Sequence, residues 1–104
     1  MKRAVELWQA EWCPHSHKVR QRLTELGLDF TARQVPAEPT ERDALVRASG
    51  TNEIPVLVGD GGEVLRGEGE ILSWLDENFD ARPDAARHRA NAREEVPTFE
   101  EVPR

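Results

Sequence analysis

Gly27 divides the opening stretch of the chain into two segments of different period, and that change restricts the fold more than any other feature. Before it, Val19, Leu23 and Leu26 recur at helical spacing, while Lys18, Arg20, Arg22 and Glu25 take the exposed positions; Gly27 stands where a C-terminal cap belongs. After it, residues 28–35 alternate loosely up to Pro36, which predicts a strand. Upstream, Val5, Leu7 and Trp8 are strand formers within residues 4–8, and Cys13-Pro14 opens the helix, because proline suits a first turn. The two strands are predicted to run parallel, since a helix separates them. The opening segment is therefore a βαβ unit.

The remainder reads as helix, hairpin, helix. Thr40 is expected to cap a second helix continued by Ala44, Leu45, Val46 and Ala48 and closed by Ser49-Gly50. Pro55-Val56-Leu57-Val58, then Gly59-Asp60-Gly61-Gly62, then Glu63-Val64-Leu65 read as two short strands around a glycine-rich turn. Residues 68–79 carry Ile71, Leu72, Leu75 and Phe79 on one helical stripe. Large apolar residues then nearly vanish. The division is a folded domain over residues 1–79 and a polar tail over 80–104, mobile or at most marginally helical between Asp84 and Arg93; Val96-Pro97-Thr98-Phe99 is a stretch that could dock on the domain. The expected class is α/β, with a four-stranded mixed sheet and three helices.

Charge and cysteine usage exclude several functions. With 14 Lys and Arg against 20 Asp and Glu, the formal net charge is -6, and no basic cluster carries interleaved aromatics, so nucleic acid is not an expected partner. Residues 1–6 run into a short apolar segment interrupted by Glu6, which draws neither a signal-peptide core nor a membrane span; the expectation is a cytoplasmic chain with no membrane partner. A single cysteine forms no intrachain disulfide, so any redox chemistry takes its second thiol from elsewhere.

That cysteine, Cys13, falls at the junction of first strand and first helix. Unsatisfied backbone N–H groups and the positive helix end favour an anion there, which biases the thiol toward thiolate; the competing reading is a small buried hydrophobe. Pro14 removes an N–H that would lack a partner, and Trp12 is expected to shield one side of the sulfur. His15 and His17 flank the thiol, but alternating positions on one helical turn do not converge, so no metal ligands are assigned and His17 is read as a tuner of the thiol or as without a role.

Trp12-Cys13-Pro14-His15-Ser16 resembles the active-site stretch of glutaredoxins, with Ser16 in place of the second cysteine. Thr51-Asn52-Glu53-Ile54-Pro55-Val56-Leu57 is similar to that family's cis-proline segment. Gly67-Glu68-Gly69-Glu70-Ile71-Leu72-Ser73-Trp74-Leu75 is similar both to its Gly-Ser-Asp-x-Ile-x-x-Tyr-Leu pattern and to the Glu-Ser-x-x-Ile-x-x-Tyr-Leu stretch of glutathione-transferase N-terminal domains. The resemblance covers residues 4–79 and implies a thioredoxin-like (glutaredoxin) fold, βαβαββα, with glutathione as co-substrate. It implies a thiol–disulfide oxidoreductase with Cys13 as nucleophile, supported by Trp12, Pro14 and Ser16. Ile54 and a cis Pro55 would pair with the cysteinyl part of glutathione, and Glu68 and Gly69 would lie at its γ-glutamyl end.

Ser16 leaves only a monothiol route, in which Cys13 removes glutathione from glutathionylated proteins or small disulfides. Ala10 stands where many glutaredoxins place a lysine for the glycyl carboxylate, and Glu68-Gly69 replaces Ser-Asp or Glu-Ser. Lys18 and Arg20 are candidates to compensate, although cations on a helix read first as its solvated face; Gln9 and Arg33 are further candidates. Two alternatives accompany this reading: a non-catalytic module that binds glutathione or a protein, and a carrier of a glutathione-ligated iron–sulfur cluster. Against the carrier, Pro14-His15 stands where cluster-sharing members carry Gly-Phe.

Overall fold

In the computed structural model, which describes residues 5–94, the elements run β1 (Val5–Gln9), α1 (Pro14–Leu26), β2 (Phe30–Gln34), a 3-10 turn (Pro39–Glu41), α2 (Asp43–Ser49), β3 (Val56–Val58), β4 (Val64–Arg66), α3 (Glu68–Asn78) and α4 (Ala85–Glu94). The four strands form one mixed sheet in the order β2-β1-β3-β4, with β1 parallel to β2 and antiparallel to β3. This is the expected thioredoxin-like arrangement. Trp8 pairs with Val56, so the end of β1 that leads to Cys13 lies beside the start of β3, immediately after Pro55. Among the described residues no helix is long and apolar enough to cross a membrane.

Alternation along β1 buries Val5 and Leu7 against Val19 and Leu23 of α1, Leu57 of β3, and Ile71 and Leu75 of α3. All of these side chains are essentially inaccessible, and burying each contributes about 1.5–3 kcal/mol. On the opposite face of β1, Trp8 shares a cavity of about 120 Å³ with Leu45 of α2 and with Arg42. The edge strand β2 is mostly exposed, which explains its loose sequence alternation.

Gly27 terminates α1 with φ 69°, and its N–H bonds to the carbonyls of Leu23 and Thr24. The second helix begins later than the sequence implies. Thr40 lies inside the 3-10 turn rather than capping a helix, and α2 starts at Asp43 with no side-chain cap. The cause is Arg42, whose buried guanidinium donates to the carbonyls of Pro36 (2.8 Å), Ala37 (3.1 Å) and Asn52 (3.0 Å) and fixes the approach to the helix.

The helix count is also corrected, from three to four. Helix α4 packs on α1 through polar groups rather than an apolar stripe. Glu25 of α1, with a side chain 4% exposed, accepts from Arg89 (2.7 Å) and Gln21 (3.1 Å), and its backbone carbonyl accepts the Arg82 N–H (3.0 Å). Burial raises the pKa of Glu25, but the hydrogen bonds from Arg89 and Gln21 and the charges of Arg89 and Arg22 outweigh it, holding the carboxyl below the ordinary carboxylate range. The Val96–Phe99 stretch lies outside the described residues.

Candidate functional site

Cys13 is the N-cap of α1. Its backbone is extended (φ -80°, ψ 118°), its N–H closes a turn onto the Ala10 carbonyl at 3.1 Å, and its Sγ accepts the Ser16 N–H at 3.4 Å. Pro14 occupies the first helical turn, where a missing N–H costs nothing. The residue is 5% exposed. Burial raises the thiol pKa, yet the Ser16 hydroxyl, the N–H groups of Ser16 and His15, and the charge of Arg20 together bring it below the ordinary thiol value. Ser16 is fully buried, and its Oγ has no partner of ordinary hydrogen-bond geometry. A hydroxyl rotates freely and donates far more strongly to an anion than to a neutral thiol, so turning this proton toward the sulfur would favour the thiolate.

Trp12, in the turn between β1 and α1, is 66% exposed. His17 is not among the groups that move the thiol's pKa; its side chain lines a groove between α1, α3 and α4 instead. Among the described residues no group of three or more His, Cys, Asp or Glu side chains is placed to hold a metal ion.

The proline segment and the third helix reach the same end of the sheet. The Ile54–Pro55 bond is cis, Ile54 is partly exposed, and the Pro55 carbonyl accepts the Gly67 N–H at 2.9 Å, which places the start of α3 beside it. The first intrahelical bond of α3 runs from the Ile71 N–H to the Gly67 carbonyl, so the N–H groups of Glu68, Gly69 and Glu70 precede the helical ladder. A side chain at Gly69 would meet nothing within 4 Å, so packing does not require glycine there.

Glu68 is shared between two side chains of α1: His15 Nδ1 contacts its Oε1, and Lys18 Nζ lies 3.5 Å from its Oε2. The hydrogen bond from His15 and the charge of Lys18 hold the Glu68 carboxyl below its ordinary range. Lys18 is therefore not simply solvated, as its helix position suggests. Nor is Arg20: it reaches back to Gln9, Ala10 and Glu11 under the Cys13 turn. Arg33, by contrast, pairs with Glu6 at 2.8 Å along the β1–β2 edge. No spacing rule reveals the Arg20 contacts, since they depend on how the turn folds over the helix.

A lone thiol at the N-cap of the first helix, a cis-proline before the third strand and a helix N-terminus beside that proline fit a thioredoxin-like domain of the glutaredoxin and glutathione-transferase class. The family described as "Glutathione S-transferase, N-terminal domain" matches residues 7–83, and the chain belongs to it. Among solved structures it is similar to rice GST1 in complex with glutathione, at 27% identity and a TM-score of 0.66, over 89% of this chain and 45% of that one. A glutathione S-transferase from Methylobacterium radiotolerans, in complex with glutathione sulfonate, matches at 26% identity and TM-score 0.63 over 81% and 42%. Wheat glutaredoxin shares the fold, with 22% identity and a TM-score of 0.57, over 71% of this chain and 70% of that one. The chain spans less than half the length of the two transferases. Comparison with curated protein sequences returns no match.

Proposed function

We propose that this domain is a glutathione-dependent thiol–disulfide oxidoreductase that works by a monothiol route through Cys13. The observation that carries the reading is Cys13 at the α1 N-cap, where its sulfur accepts the Ser16 N–H and the buried Ser16 hydroxyl stands without another partner. Glutathione lies extended, its cysteinyl backbone paired with Ile54 ahead of cis Pro55, and its γ-glutamyl carboxylate on the N–H groups that open α3 at Glu68 and Gly69. Glu68 faces its ammonium. The relatives bound to glutathione and glutathione sulfonate support this choice of ligand.

The Cys13 thiolate attacks the glutathionyl sulfur of a mixed disulfide. The Cys13–glutathione disulfide forms as the target's sulfur leaves, taking a proton from water. A second glutathione thiolate then attacks that glutathionyl sulfur, freeing Cys13 and producing glutathione disulfide, so both electrons come from glutathione. Ser16 has no sulfur with which to resolve the intermediate, so the second glutathione is obligatory.

The family assignment favours a second reading, in which Ser16 or Cys13 stabilises a glutathione thiolate for attack on an electrophile. Kinetics with a glutathionylated peptide separate the two. Turnover that vanishes in Cys13→Ser, while calorimetric glutathione binding persists, supports the oxidoreductase. Binding without turnover in the unaltered chain leaves a binding module or a transferase half-site, and absence of binding refutes every glutathione-based reading.

A further inference from the structure

We propose that Arg20 is the positioning residue of this site, clamping the turn from Ala10 to Cys13 against α1 and so fixing where the sulfur stands. The inference rests on the reading of Cys13 as the reactive thiol. Arg20 follows Cys13 by about two helical turns, and its side chain is only 19% exposed. Its guanidinium donates to Gln9 Oε1, to the Ala10 carbonyl at 3.5 Å and to the Glu11 carbonyl at 3.4 Å, and it lies 3.3 Å from Glu11 Oε1. The Ala10 carbonyl also receives the Cys13 N–H, so the atom that closes the cysteine's turn is the atom Arg20 holds.

The anchor behind the clamp is buried. Gln9, the last residue of β1, takes the Arg20 bond on its oxygen and donates through Nε2 to Gln34 Oε1 at 3.0 Å, its register partner on β2. One polar line therefore runs from α1 through β1 to β2. Neighbouring cations on α1 are engaged elsewhere, Lys18 with Glu68 and Arg22 with Asp76, both on α3. The role needs a planar fork with several donors, which lysine lacks.

The test is the rate of Cys13 alkylation by iodoacetamide against pH, on the full chain, for the unaltered protein, Arg20→Lys and Arg20→Met, with thermal melts to establish folding. The unaltered protein should titrate below the free-thiol value of about 8.5. At pH 6 its alkylation rate should exceed that of Arg20→Met by about threefold to tenfold, with Arg20→Lys in between because it keeps the charge and loses the fork. Arg20→Lys that matches the unaltered protein in profile and turnover overturns the clamp, as does folded Arg20→Met with an unshifted profile. An unaltered protein that titrates at the free-thiol value refutes the reading of Cys13 instead, whatever Arg20 does.

Discussion

Replacing Glu25 by alanine tests whether a buried carboxylate holds the fourth helix to the first. The substitution deletes the acceptor of a charge-assisted bond from Arg89 at 2.7 Å and of a neutral bond from Gln21 at 3.1 Å. Such bonds are worth roughly 1.5–3 and 0.5–1.5 kcal/mol. Arg89 has half of its side chain in water and regains hydration, which trims the loss, and the Arg82 N–H keeps its bond to the Glu25 backbone carbonyl. The expected cost is about 2–3 kcal/mol, a fall in melting temperature of roughly 8–24 °C for a domain this size.

The same carboxyl has a folded pKa below its unfolded value of about 4.3. Its stabilisation is complete above that value and is lost as pH falls through the folded pKa, so removing Glu25 should flatten the acid limb of the stability curve. Urea unfolding at pH 7 and at stepped acid pH, with Arg89→Ala and the double variant, isolates the pair. A cost under about 1 kcal/mol, or an acid limb of unchanged slope, would refute the reasoning.

Other substitutions probe single contacts. Ser16→Ala should leave the melting temperature unchanged or higher, since its buried hydroxyl is unpartnered, while alkylation of Cys13 at pH 6 slows by about twofold to fivefold. Gly27→Ala forces a side chain into φ 69° and should cost about 1–2 kcal/mol by urea titration. Glu68→Gln should weaken glutathione by about threefold to tenfold in calorimetry at pH 7 if the carboxylate meets the ligand's ammonium. Equal affinity would remove Glu68 from the site.

The fold through α3 was legible because its signals are local and apolar: Val19 and Leu23 at helical spacing, the Gly27 cap, and the glycine turn between β3 and β4. Element ends moved by a residue or two. The exceptions share a cause, since they depend on long polar side chains whose partners lie far away in sequence. Arg42 shifted the start of α2 by bonding three carbonyls, and Arg89 seated α4 on Glu25 from a stretch with almost no apolar stripe. At the candidate site, Cys13, Pro14 and Ser16 could be placed from the strand–helix junction alone. Arg20 could not, because its positions on a helical wheel are those of a solvated cation and only the folded turn brings Gln9, Ala10 and Glu11 to it.

The chain's lone cysteine also makes it self-reporting. With no second thiol to confuse the signal, a sulfhydryl reagent labels one known atom. At neutral or lower pH the label registers activation, because only the folded environment enriches the thiolate. In alkaline solution every thiol is ionised, and the labelling rate then registers how far the fold shields this nearly inaccessible side chain. A single mass measurement at two pH values thus reads chemistry and shielding from the same sulfur.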